Sequence, residues 1–249
     1  MRQITSRITE NRRISESFYE LSIEYAGAPP EPGQFITIRC GEGTSPLLPR
    51  PFAVSDFRPG ELKIIYQLRG DGTKNLSKKA KGESLGIISP LGNPFPVKIG
   101  DKKPVLIGGG IGLGPILYLH KRFEELSKKP STILGFRNAS FIPADIPLSE
   151  GFSICTDDGS SGFGGTTADY LSKTENLDTK ELFCCGPLPM LRACHKIALE
   201  NNIRCWVSVE EIMACGVGAC MGCAVKLKSG YARACSEGPV FNSRDVEWD

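Results

Sequence analysis

The sequence of 249 residues contains no apolar run of about 20 residues, the length a membrane-spanning helix needs. It also lacks an excess of charge of either sign. Thirty Lys and Arg stand against 28 Asp and Glu, a net of +2, which removes the electrostatic case for nucleic acid or an anionic membrane surface. Histidine is scarce, with two in the chain, and no serine, histidine and acid constellation suggests hydrolysis. Residues 1–15, MRQITSRITENRRIS, show none of the apolar core of a secretory leader, so a soluble, cytoplasmic protein is expected. Wholesale disorder is excluded as well, because 40% of the residues are hydrophobic and the net charge is small. The length suits roughly one or two domains with sizeable cores.

Cysteine is the residue present in excess, with ten copies. A reducing compartment argues against disulfides, and the spacing is uneven. Cys40, Cys155, Cys184, Cys185, Cys194 and Cys205 are scattered and read mostly as small buried hydrophobes. Cys215, Cys220, Cys223 and Cys235 crowd together near the end.

Residues 1–97 read as antiparallel β structure. Short apolar or alternating runs at 18–25, 34–38, 52–55, 62–67 and 84–88 are separated by AGAPPEPG, CGEGTSPLLP and FRPG, a pattern of a barrel or sandwich. A short helix is expected over 73–79, and the three prolines of SPLGNPFP (89–96) suggest a linker. From Lys103 the period changes. Strands at 104–107, 132–136, 152–156, 181–185 and 205–209 alternate with helices near 167–171 and 190–200. Another helix carries Ile116, Leu119, Phe123 and Leu126 on one face. Alternation of this kind indicates a parallel α/β sheet over 98–209, followed by a loop-rich, cysteine-rich unit over 210–249.

The four clustered cysteines are spaced C-x4-C-x2-C-x11-C, and the first three match the plant-type [2Fe–2S] arrangement. A two-iron core needs four converging thiolates; a tight loop provides three and the returning chain the fourth. Gly216, Gly218 and Gly222 alternate with the ligands and permit close backbone approach, with N–H groups free to face sulfur. Structural zinc is the weaker fit, since only Cys220 and Cys223 have knuckle spacing.

Two further segments, LLPRPFAVSD and YQLRGDGTKNLS, point to a phosphate-bearing ligand. Arg50 can fork onto a pyrophosphate or stay a solvated charge, and Gly72-Thr73 opens either an anion site or an ordinary helix cap. GGGIGLGP (108–115) contains no register of G-x-G-x-x-G, so it is not the Rossmann fingerprint; it is a glycine-rich turn that admits a dinucleotide or serves only as a tight βα turn.

Taken together, RPFAVS, IYQLRGDGT, GGGIGLGP, CGPLPML and the terminal cysteines with EGPVF resemble the ferredoxin–NADP reductase superfamily along nearly the whole chain. Within it the resemblance is to the electron-transfer subunits of dihydroorotate dehydrogenase B. It implies a flavin β-barrel, an α/β nucleotide domain and a small iron–sulfur domain. It implies FAD contacts at Arg50, Pro51, Phe52, Ala53, Ile65, Tyr66, Gln67, Gly72 and Thr73. A serine is usual in the family where Ala53 stands, which leaves a backbone contact intact but removes a hydroxyl unless Ser55 supplies it. The resemblance places NAD at Gly109, Gly110 and Gly112 with Cys185 and Gly186, and favours NAD over NADP although Arg137 could meet a 2′-phosphate. It implies an FMN-containing dihydroorotate dehydrogenase partner in a heterotetramer of two plus two. Electrons would run from the partner through [2Fe–2S] and FAD to NAD in pyrimidine biosynthesis.

The loop 215–223, with Val217 and Met221, is expected to face that partner. No catalytic side chain is assigned here, and His120 and His195 read as structural for want of a paired acid. Trp248 is either a tail residue or an interface contact. The alternatives are a reductase subunit of a hydrogenase or sulfite reductase complex, a flavin-free redox regulator, or a zinc scaffold.

Overall fold

The computed structural model describes residues 1–41, 43, 45–146 and 151–248. Within the turn-rich segment 40–49, positions 42 and 44 lie outside the described residues. The amino-terminal third closes into a six-stranded barrel of β1 (Arg2–Arg13), β2 (Phe18–Tyr25), β3 (Phe35–Ile38), β4 (Arg50–Arg58), β5 (Gly60–Gln67) and β6 (Ser84–Leu91). The strand order is β1-β2-β5-β4-β3-β6, antiparallel throughout. Its interior is filled by inward residues two apart, such as Leu21 with Ile23, Ile36 with Ile38 and Ile64 with Tyr66. Helix α1 (Asp71–Ser77) follows β5.

Two expectations change here. Residues 2–13 are a strand although RQITSRITENRR carries almost no apolar alternation; pairing with β2 and β6 on its two sides overrides weak propensity. The expected linker at 89–96 is no free spacer. β6 runs on to Leu91, Asn93 N–H donates to Gly238 O (2.6 Å), and Phe95 N–H donates to Pro32 O (2.8 Å).

The second unit is a seven-stranded sheet with β7 (Lys103–Gly109), β8 (Ser131–Phe136), β9 (Phe152–Thr156), β10 (Phe163–Gly164), β11 (Lys180–Cys185) and β12 (Cys205–Ser208). These six are parallel. Helix α2 (Leu113–Glu125) covers one face through Ile116, Leu119 and Phe123, while α3 (Thr167–Ser172) and α4 (Leu188–Glu200) cover the other through Leu171, Leu191 and Cys194. β7 shows the consequence: Val105 and Ile107 face one layer and Leu106 the other. Leu126 lies beyond the helix and is exposed, so the apolar face ends at Phe123.

The cysteine-rich segment forms the hairpin β13 (Ala224–Leu227) and β14 (Gly230–Arg233), then β15 (Val240–Asn242). β15 joins the large sheet antiparallel to β12. The carboxyl-terminal segment is therefore stitched into the nucleotide unit by a strand that three residues of weak pattern do not announce. No helix among the described residues is long and apolar enough to cross a membrane.

Candidate functional site

The loop from Cys215 to Cys223 and the returning segment at Cys235 draw the thiols together. Cys220 Sγ lies 3.3 Å from Cys215 Sγ, and Cys223 stands close enough to Cys235 to help raise its thiol. Among the described residues no three His, Cys, Asp or Glu side chains are set around one point to hold a single ion. Four cysteines drawn together at C-x4-C-x2-C-x11-C spacing suit a centre of two irons, each taking two thiolates. Backbone donors are aimed at the same sulfurs. Val217 N–H donates to Cys215 Sγ (3.5 Å) and Gly218 N–H to Cys235 Sγ (3.1 Å). Gly216 and Gly218 adopt φ of 67° and 79°, the left-handed conformation that turns these N–H groups inward.

The electrostatics differ among these thiols. The Val217 N–H, with help from other loop donors, brings the Cys215 thiol down to about 6. Burial pushes the Cys235 thiol up to about 11. Cys223 and Cys235 are buried while Cys215 and Cys220 are half-buried, so the centre is closed on the protein side and approached from outside. Arg233 locks the loop: its guanidinium donates to Gly218 O and to the Glu237 carboxylate (Nε–Oε2 3.0 Å), and it holds the Glu237 carboxyl down at about 2. Sequence reading missed Arg233, which carries no signal beyond its place two residues before Cys235. Met221 and Ile212 are exposed beside the loop, and Val217 is half-buried against the core.

The flavin candidates lie where the barrel ladder opens. β4 and β5 pair from Arg58↔Glu61 to Val54↔Ile64 and no further. Residues 50–53 then pair with β3, and 65–67 with β2, so the two segments part and are not paired with each other. Phe52 and Tyr66 point into the barrel core, 5.9 Å apart, and Tyr66 Oη donates to Asn11 Oδ1 (2.9 Å). Their side chains are therefore committed to the core, which leaves only their backbones to line a ligand site. Pro51, Ala53, Ile65 and Gln67 occupy the other faces of their strands. Arg50 is brought to Gly72, where an added Cβ would lie 3.2 Å from Arg50 Cγ and Nε. The Thr73 hydroxyl is engaged as a cap, accepting Arg69 N–H (2.9 Å) and donating to Gly70 O (3.0 Å). On the nucleotide side Gly114 meets β4; a Cβ there would stand 3.1 Å from Ser55 Cβ.

The nucleotide candidates converge at the carboxyl ends of β7 and β11. These strands are neighbours, with β8–β10 on one side and β12 on the other, so the sheet order reverses there. Such a switch point is where open α/β sheets bind ligands. Gly112 meets Cys185, and a Cβ on it would stand 1.9 Å from Cys185 O. Gly109 lies against Met190 and Pro187, and Gly186 against Gly109. Gly110 differs: its φ is 54° and nothing lies within 4 Å of a Cβ there. Burial pushes the Cys185 thiol up to about 12, so it is a neutral group.

All ten cysteines are free thiols. Cys40, Cys155, Cys184, Cys194 and Cys205 are buried, and burial pushes Cys40 and Cys155 up to about 11. His120 does have an acid nearby, Glu124 at 3.4 Å, one helical turn on; it also bonds Thr132 Oγ1 (2.8 Å) within the core. His195 stacks on Trp248 with centroids 5.2 Å apart, so that tryptophan packs within its own chain. Arg137 is exposed, its guanidinium 5.5 Å from the Phe141 ring centroid.

Known proteins share this arrangement. A model of the iron–sulfur cluster binding domain of dihydroorotate dehydrogenase B matches residues 210–247. The dihydroorotate dehydrogenase B (NAD(+)) electron transfer subunit of Caldanaerobacter subterraneus subsp. tengcongensis is 38% identical over 98% of both chains. Its counterpart in Geobacillus kaustophilus is 34% identical over 96% of both. Among solved structures, an NADH-dependent reduced ferredoxin-NADP oxidoreductase superposes with a TM-score of 0.87 at 28% identity, covering 98% of this chain and 90% of its own. Phthalate dioxygenase reductase shares the fold at 15% identity, with a TM-score of 0.69 and coverage of 92% and 87%. Full-length identity of this order, with the gathered thiols, the parted barrel strands and the switch point in place, makes this chain a member of the dihydroorotate dehydrogenase B electron transfer subunit family.

Proposed function

We propose that this chain carries electrons between a dihydroorotate-oxidising partner subunit and NAD, using a [2Fe–2S] cluster on Cys215, Cys220, Cys223 and Cys235 and FAD where β4 and β5 part. The observation that carries this reading is the packing of the sulfur loop on the outer face of the barrel. Gly216 touches Thr37 of β3, and Thr37 is the strand partner of Pro51 in the flavin segment. One strand separates the two sites, a short path for single electrons.

FAD, when bound, exchanges electron pairs with nicotinamide and single electrons with an iron–sulfur centre. The residues of this chain place and shield the groups. Arg50 presents a fork to the pyrophosphate beside Gly72. The backbones of Pro51–Ala53 and Ile65–Gln67 line the two sides of the flavin site, and Gly114 allows α2 to approach it. Gly110, with Cys185 and Gly186, faces the nicotinamide at the switch point. Val217 and Gly218 N–H groups stabilise the negative charge on the thiolates. Dihydroorotate is oxidised on the FMN-containing partner in a two-plus-two complex, and Met221 and Ile212 offer apolar contact beside the half-buried thiols. A cytoplasmic location fits ten free thiols.

The test is to purify the chain with its partner, quantify iron, sulfide and FAD, and follow NAD reduction by dihydroorotate. The chain alone should reduce a dye with NADH. A colourless, zinc-bearing protein without flavin overturns the reading. Co-purification with a hydrogenase or a sulfite reductase reassigns the partner while leaving the cofactors in place.

A further inference from the structure

Gly218 is the residue on which the sulfur loop turns. Its N–H donates to Cys235 Sγ (3.1 Å), and its φ of 79° is a left-handed conformation. A glycine has no side chain to hold that turn; the hold comes from the returning hairpin. Arg233 Nη1 donates to Gly218 O, while Nε and Nη2 of the same guanidinium donate to the two Glu237 carboxylate oxygens (Nε–Oε2 3.0 Å). The Arg233 backbone N–H also donates to Glu237 Oε2 (2.7 Å). Between the two residues the chain curls back on Arg233 O, which accepts N–H groups from Ser236, Glu237 and Gly238, and Cys235 rides on that turn. The guanidinium lies within electrostatic reach of Cys235 and Cys223 as well. Its side chain is 34% exposed and that of Glu237 43%, and ion pairs so exposed add little to stability. The fork is nevertheless committed, one prong to the residue whose N–H bonds a ligand sulfur and two to a carboxylate.

We propose that Arg233 and Glu237 are an opposed pair that sets the cluster's reduction potential: Arg233 holds it up, by its charge and by aiming Gly218 N–H at Cys235, and Glu237 holds it down. The inference rests on the cofactor reading above. When the cluster takes up one electron its sulfurs become more negative, so a nearby cation and an aimed N–H stabilise that state more than the oxidised one. A carboxylate beside the cation offsets part of this gain. No bond is made or broken and no proton moves. Arg233 and Glu237 are thus positioning residues, acting on the centre through Gly218 and through space.

The experiment compares Arg233→Gln and Glu237→Gln with the native chain, each carrying cluster and FAD, by redox titration followed with electron paramagnetic resonance. Arg233→Gln should shift the cluster midpoint to more negative potential. Glu237→Gln keeps an oxygen for the guanidinium but loses the charge, and should shift it to more positive potential. The FAD midpoint should move less than that of the cluster in both. Opposite signs are the signature, because a mere clamp on the loop would be loosened by either change and would move the midpoint the same way. If Arg233→Gln does not retain the cluster, Arg233→Lys takes its place, with a smaller negative shift expected. Midpoints that move in the same direction overturn the proposal, as do unmoved midpoints or an equal shift in cluster and FAD. Loss of the cluster from both Glu237→Gln and Arg233→Lys overturns it too, since the pair would then serve only to hold the fold. A native chain that binds no cluster overturns the parent reading instead.

Discussion

Two glycine-rich turns, 108–114 and 216–222, look alike in the sequence and do different work. In the sulfur loop, Gly216 and Gly218 take positive φ, and backbone N–H groups of the loop point at thiols. In the nucleotide turn, Gly112 has φ of −63°, which any residue adopts, and is glycine because the backbone of Cys185 occupies the space of its side chain. The first turn uses glycine for conformation and the second for chain-on-chain contact. Gly110 alone in the nucleotide turn combines positive φ with open space, which is what a ligand-facing position looks like.

Substitution separates these roles. The largest effect belongs to Gly112→Ala, which forces the β7 turn away from β11; it should cost about 3 kcal/mol or more, at the upper end of overpacking, measured by urea denaturation. Cys220→Ala comes next in consequence: the cluster absorbance should vanish while FAD binding and the nucleotide turn survive, read by visible spectroscopy and flavin content. Simultaneous loss of flavin would show that the two regions fold as one unit. Gly218→Ala should cost about 1–2 kcal/mol from left-handed strain alone. It also crowds Ser236, 3.2 Å from the new Cβ, so its cluster should be released faster to a chelator. Gly110→Ala is the mildest, about 1 kcal/mol in stability. Its signature should be a raised KM for NADH with the cluster potential unmoved; an unchanged KM would make the whole nucleotide turn a packing device.

The four clustered cysteines stood out in the sequence because a two-iron core would fix the spacing of its ligands and leave the chain little freedom. The strands 18–25 and 152–156 were legible to the residue, since each is a short apolar-bearing run bounded by turn residues. β1 was not, because its stability comes from two neighbouring strands rather than from its own residues. Nor was β15, a short strand whose partner β12 lies far off in the sequence. Among site residues, Arg50 and Gly72 stood out singly, but their contact did not. Phe52 and Tyr66 drew notice as members of a motif, and the fold turns both side chains inward. Arg233 gave no signal, since an arginine in a hairpin is ordinary by composition.

By itself the sequence determined the chemistry on offer: four cysteines at cluster spacing, a barrel followed by a parallel sheet, and a near-neutral charge that makes no electrostatic case for nucleic acid. These are local properties, set by residue type and by separation along the chain. The tertiary structure decided which groups meet. It ended the β4–β5 ladder at Val54↔Ile64, reversed the sheet order between β7 and β11, and laid the sulfur loop on the strand that backs Pro51. Those relations join residues far apart in sequence, and they exist only once burial of the shared core has brought the three regions together.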